Sequence, residues 1–349
     1  MSNSIYQAGV NSALEWAGAQ KVEGLRSFLM EEPEVPLIAV GSGASLSVAN
    51  YATLLYGTRS AMGRSLTPLS VNSLSDNALL RCKVLLVSAS GHNKDIVFLS
   101  DRLHSLKHPR VANLSIKDSE NNKLKAKVSA ASLFNYTSEF PSEFVEFESV
   151  VAQYALLCRA FGGKLPSQDL QQPYYYCRKD GGNEVLPMSR VQHLVVVYAD
   201  YAEPVALDLE SKMVESGLVS VQLCDYRNFC HGRFAFVSNH IGLKTDYMFQ
   251  ADTAVMILSS NYTKSVATRL RSILPDWCMV FSVTTEHMGP AASLDLLIKS
   301  NLLYIDFALE KGLRKPFDPP CMTINKRYPQ SAVSFRNDLK TQGPLNTKY

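Results

Sequence analysis

Short unbroken apolar runs punctuate the first third of the chain, at Val35 to Val40 and Val84 to Val87, and read as strands buried on both faces. Each run ends in a turn rich in glycine and hydroxyl residues. A helical pattern follows each turn, from about Ser45 and from about Asp95 to Leu106. A strand at Val111 to Ser115, an apolar stretch at Ala131 to Phe134 and a long amphipathic helix from about Ser142 to Phe161 continue the rhythm. Strands that alternate with helices predict a parallel sheet covered on both faces.

The segment Gly162 to Arg190 interrupts the pattern with Gly, Pro, Gln and the run Tyr174-Tyr175-Tyr176, and reads as a linker between domains. Its tyrosines either pack on a domain surface or line a site. The rhythm then restarts. Strands are predicted at Leu194 to Val197, Val219 to Leu223, Phe234 to Val237, Ala254 to Leu258 and Met279 to Val283. Helices are predicted at Pro204 to Glu215, about Lys264 to Leu274 and about Ala292 to Lys311. After Gly312 comes a proline-containing tail that starts Pro316-Phe317-Asp318-Pro319-Pro320. The predicted fold class is therefore α/β, with two domains that are each a parallel sheet between two helical layers. The boundaries fall at 1–161, including an N-terminal helical segment, then a linker at 162–190, a second domain at 191–312 and a tail at 313–349.

At 349 residues the chain has room for two domains with separate cores. Apolar residues make up 46% and charged residues 19%, which excludes a disordered chain. The net charge of +3 is scattered, with no basic block interleaved with aromatics, so nucleic acid is not an expected partner. Seven widely spaced cysteines suit a reducing compartment better than a disulfide framework. Met1 to Val10 carries no secretory pattern, and no apolar stretch reaches the roughly 20 residues that span a bilayer. A cytoplasmic protein without membrane contact is expected.

The two turns are Gly41-Ser42-Gly43-Ala44-Ser45 and Ser88-Ala89-Ser90-Gly91-His92-Asn93. A strand that ends in glycine and hydroxyl residues before a helix makes an anion site: the backbone comes close, the first helical N–H groups are unpaired, and the dipole favours negative charge. Two such turns on neighbouring strands would hold one phosphate through Ser42, Ser45, Ser88, Ser90 and Asn93. The plain alternative is that these residues only cap helices.

Further along, Lys212 and Glu215 stand three apart on one predicted helix, and His231-Gly232 follows in a loop. A surface salt bridge and a structural histidine would account for them. Together they also match aldose–ketose isomerisation: a carboxylate moves a proton between C1 and C2, a histidine opens the ring, and a cation steadies the enediolate. Gly41-x-Gly43 does not make a dinucleotide fingerprint, because Leu46 takes the third glycine position. Cys224, Cys230 and His231 lack a compact fourth zinc ligand. Glu286-His287 reads as a loop at the edge of the second sheet, able to touch a ligand or simply exposed. No metal and no cofactor is expected.

These residues carry a family resemblance. The chain resembles the double SIS (sugar isomerase) proteins, and most of all the isomerase half of glucosamine-6-phosphate synthase. Gly41 to Ser45 is similar to that family's first phosphate turn, and Ser88 to Asn93 to its Ser-x-Ser-Gly-x-Thr turn, with Asn93 in place of threonine. Lys212 and Glu215 match its Lys-x-x-Glu helix, His231-Gly232 its ring-opening pair, and Ala308 to Gly312 the start of the tail that closes over the sugar. The resemblance covers about Val35 to about Pro320. It implies a phosphosugar isomerase, catalytic residues Glu215, His231 and Lys212, a sugar phosphate as ligand, and a homodimer in which the histidine serves a neighbouring subunit.

The departures shape the expectation. The chain enters the sugar-isomerase unit soon after Met1-Ser2-Asn3, so glutamine-derived ammonia is not expected. Glu146-Phe147-Glu148 stands where the family has Ser-Thr-Lys, the second domain reads Tyr198-Ala199-Asp200 at its first turn, and Arg233 replaces the proline after His-Gly. Glu146 and Glu148 would form an anionic substrate wall suited to an amine-bearing sugar, or would face solvent on an amphipathic helix. Two alternatives to an isomerase stay open: a deglycase that cleaves a phosphorylated ketose–amine adduct, and a sugar-phosphate-binding regulator without catalysis.

Overall fold

The structure is a computed structural model, which describes residues 3–115, 124, 130–133, 147–166, 175–177, 188–242, 252–274 and 278–313. They fall into two compact units. One holds the described residues from 16 to 133 together with 152–161; the other holds residues 3–15, 147–151 and the described residues from 162 to 313. The first residues thus group with the second sheet rather than with the 1–161 domain expected from sequence. The reason is a buried anchor: the Tyr6 hydroxyl donates to the Ile298 carbonyl at 2.7 Å, and its ring packs on Phe147.

The first unit is built on β1 (Leu37–Val40), β2 (Gly63–Leu66), β3 (Lys83–Val87), β4 (Val111–Ser115) and β5 (Ala130–Leu133). Their order is β2-β1-β3-β4-β5, and every pair is parallel. Side chains opposite each other in register share a face. Ile38, Val40, Val84 and Leu86 therefore form one apolar surface, packed against Ile96, Leu99 and Leu103 of the helix Lys94–Ser105. On helix Ala44–Gly57, Tyr51 stacks on Tyr154 of helix Glu148–Ala160 with centroids 4.4 Å apart.

The second unit adds β6 (Tyr175–Cys177), β7 (His193–Tyr198), β8 (Ser220–Asp225), β9 (Thr253–Ser259) and β10 (Met279–Thr284), in the order β6-β10-β9-β7-β8. Four strands are parallel; β6, at the edge, runs antiparallel to β10. That strand comes from the segment read as linker, where its tyrosine run supplies a residue type that favours strands. Val195, Val197, Val255, Ile257 and Val280 pack against Ala267 and Leu270 of the helix Lys264–Ile273. Next along β10, Phe281 meets Phe307 of the helix Pro290–Glu310 at 5.4 Å.

One expected strand is overturned. Phe234 to Val237 lies in a helix, Phe234–Gly242. The run Phe-Ala-Phe-Val is too short for periodicity to separate strand from helix. A short helical stretch begins upstream at Tyr226, on the Asp225 cap, breaks at a kink through His231 and Gly232, and the chain resumes as this helix.

Candidate functional site

β1 and β3 are neighbours, with Val40 opposite Leu86, so the turns that leave their C-terminal ends open on one edge of the sheet. The Gly41 N–H donates to the Leu66 carbonyl at 3.2 Å. A Cβ on Gly41 would lie 2.2 Å from the Ser45 carbonyl oxygen, so only glycine lets the helix start this close to the strand. Gly43 follows at φ 57°, in the left-handed region, and helix Ala44–Gly57 begins with no side-chain cap. Its positive end is thus held only by backbone, with half-buried Ser42 and Ser45 beside it.

The second turn differs. The Ser88 hydroxyl oxygen accepts from the Gly91 N–H at 3.1 Å, and that of Ser90 accepts from His92 at 3.2 Å. Asn93 caps the helix Lys94–Ser105, its side-chain oxygen accepting from Asp95 (3.0 Å) and Ile96 (3.2 Å). Here the capping alternative is realised. The two hydroxyls keep their own protons as donors, and Asn93 keeps its amide N–H groups.

Helix Glu148–Ala160 braces both turns from behind. The Gln153 amide donates to the Leu114 carbonyl at 3.2 Å, the same oxygen that receives the Ser88 N–H at 3.2 Å. The adjacent Tyr154 hydroxyl donates to the Ser47 carbonyl at 3.3 Å, inside the first turn of helix Ala44–Gly57. Nothing in the sequence marks either residue. Their roles depend on carbonyls 39 and 107 positions away, which no local pattern encodes.

In the second unit, Lys212 and Glu215 share the helix Glu203–Glu215 but not an environment. Lys212 is 1% exposed and donates to Asp208 at 2.5 Å and to the Asn301 side-chain oxygen at 2.7 Å. Glu215, at the helix end, is exposed. The structure therefore does not present the two as a joint surface; a spacing of three becomes one side chain inside and one outside at the last turn. His231 is exposed too, at a kink between two helical stretches, where both it and Gly232 (φ 117°) leave helical geometry. Asp225 starts the first of these stretches by accepting from the Asn228 N–H at 2.8 Å, a bond that holds its carboxyl below the usual carboxylate range.

Of the proposed anionic wall, Glu146 lies outside the described residues, as does the tail from 314 onward. Glu148 is 2% exposed and packs beside Gly9, so it is not the solvent-facing carboxylate of the plain alternative. Cys224 is buried with its thiol towards the Val196 carbonyl, whereas Cys230 is exposed. Among the described residues no three His, Cys, Asp or Glu side chains gather as a metal site, and no helix is long and apolar enough to cross a membrane. Glu286 pairs with Lys264 at 2.7 Å on the surface.

The sequence matches no protein-family model and no curated protein. Solved structures do match. Glucosamine-6-phosphate deaminase from Thermotoga maritima is similar with a TM-score of 0.65 and 15% identity, over 91% of this chain and 97% of that one. Tagatose-6-phosphate ketose/aldose isomerase from Escherichia coli is similar with 0.64 and 13%, over 89% and 93%. The C-terminal domain of glucosamine-fructose-6-phosphate aminotransferase from Francisella tularensis is similar with 0.62 and 11%, over 90% and 97%. At such identities the likeness shows the fold, and it is the one that the resemblance to the sugar isomerase proteins implied: two α/β units, each with parallel strands between helical layers.

Proposed function

We propose that this chain acts on a phosphorylated sugar, as an isomerase that moves a proton between C2 of an aldose and C1 of the ketose. The observation that carries the reading is the pair of hydroxyl-bearing turns on adjacent strands, one of them leading into an uncapped helix. Ser42, Ser45, Ser88, Ser90 and Asn93 would hold the phosphate through hydroxyl, amide and backbone donors. His231 would give a proton to the ring oxygen as the ring opens. The Glu215 carboxylate would take the proton from C2 and return it to C1, with the hydroxyl protons redistributing through solvent. Neighbours of this fold bear the names of phosphosugar isomerases and a deaminase, which fits that substrate class.

The test is exchange with deuterium oxide of the C2 proton of glucose-6-phosphate and glucosamine-6-phosphate, and of a C1 proton of the ketose tagatose-6-phosphate, followed by NMR. Glu215→Gln is expected to abolish exchange and to leave sugar-phosphate affinity within about twofold. Release of free amine from a ketose–amine adduct would point to the deglycase instead. A second reading, a sugar-phosphate-binding regulator, is favoured by one observation: Lys212 is enclosed by Asp208 and Asn301 instead of standing with Glu215. It predicts binding without exchange, and indifference to Glu215→Gln.

A further inference from the structure

Lys212 is the residue that the family resemblance makes catalytic, and its surroundings argue otherwise. It forms a buried ion pair with Asp208 four residues earlier, both side chains 1% exposed, and the Asn301 oxygen completes its coordination. An ammonium enclosed this way already has its counter-charge; turning it towards a substrate would take that ammonium from the buried Asp208 carboxylate, which is costly. Asn301 belongs to the helix Pro290–Glu310; that helix, with Lys311 just beyond it, also holds the chain that leaves helix Glu203–Glu215. The Tyr304 and Ser216 hydroxyls meet at 2.6 Å, directly after Glu215. Lys311 donates to the Leu218 carbonyl at 2.6 Å, and also to that of Val191 at 2.6 Å. Tyr6, buried beside Asn301 and Asp208, ties the N-terminal helix to the same rack through Ile298.

We propose that Lys212 is a positioning residue: with Asp208, Asn301 and Tyr304 it fixes the last turn of its helix, so that the exposed carboxylate at Glu215 is held in one orientation. This rests on the isomerase reading for its functional half, and on geometry alone for its structural half.

The test is a double-replacement cycle in the full chain, read by melting temperature and by C2-proton exchange. Lys212→Met and Asp208→Leu singly each leave one buried charge, and each should lower the melting temperature by roughly 10 °C. The double variant removes both charges and should recover at least half of that loss, together with exchange. A double variant that recovers stability without exchange would place Lys212 on the substrate and overturn the proposal. Single variants that melt like the parent would overturn it as well. Tyr304→Phe keeps the core and removes one hydroxyl, so it decides the matter if the double variant does not fold. A fall of about threefold or more in kcat with KM unchanged supports positioning; an unaltered kcat contradicts it. If the parent chain shows no exchange with any sugar phosphate, the isomerase reading fails and the melting cycle alone decides whether the pair is a strut.

Discussion

The two units lay their parallel strands in the same order: β8-β7-β9-β10 in the second repeats β2-β1-β3-β4 in the first. They finish the central strand differently. After β1 the chain turns through Gly41 and Gly43 into an uncapped helix. After β7 the corresponding turn is Tyr198-Ala199-Asp200, where Asp200 itself adopts φ 51° before a short 3-10 turn. One architecture therefore supports an open, glycine-lined helix start in one unit. In the other, the helix after the same strand carries a buried ion pair. The strand order makes the edge available; the turn residues decide whether an anion can approach it.

The sharpest way to break this comparison is Gly41→Val. A Cβ at 2.2 Å from a backbone oxygen has no rotamer to escape into, so the turn must move. A loss of about 2 kcal/mol or more is expected by urea titration, with phosphate binding lost in whatever remains folded. Ala199→Val in the corresponding turn should cost less than half as much. Next in size is Asn93→Ala, which strips the cap of two N–H donors and should cost about 1 kcal/mol. Asn93→Ser should restore most of that stability. If Asn93→Ser also restores sugar-phosphate affinity, the residue serves as cap and scaffold rather than through its amide donors.

Acid sensitivity is a smaller and separate handle on the first unit. Burial lowers the His108 pKa from 6.5, and the ring accepts from the Arg110 N–H at Nδ1 while its Nε2 lies 2.8 Å from the Leu79 carbonyl. The neutral ring is thus the folded form. Its stabilisation is present above pH 6.5 and declines as pH falls through the depressed folded value, because the unfolded chain binds the proton more readily. His108→Gln should flatten that acid limb in a pH series of melting curves. The smallest effect concerns thiols. Burial pushes Cys158 and Cys278 up to about 12 and Cys224 up to about 11. An aromatic disulfide reagent at pH 8 should label exposed Cys230 before any of these three, as read by peptide mass mapping.

Much of this was legible in the sequence, because buried parallel strands are written as continuous apolar runs. β1, β3, β4, β7, β9 and β10 all coincide with such runs. The edge strand β2, Gly63-Arg64-Ser65-Leu66, has no such run, and no local pattern marks it as a strand. β6 is three residues long and exists through pairing with β10, a contact more than 100 positions away. The two turns after β1 and β3 are visible because glycine and serine close an apolar run just before a helical pattern begins. The fate of Lys212 was half visible. Asp208 stands four residues earlier on the same helix face, but Asn301 comes from a helix 89 positions on. Spacing places residues on a face; it does not say which face will be buried.

The central claim is that the turns after β1 and β3, and not their counterparts in the second unit, receive a phosphate. The most direct measurement is a titration of the isotope-labelled full chain with inorganic phosphate, followed by backbone amide NMR. The account predicts saturable shifts at the amides of residues 42–46 and 88–94, with those of 199–202 unmoved. Shifts spread equally over both sets, or absent from the first, would contradict it.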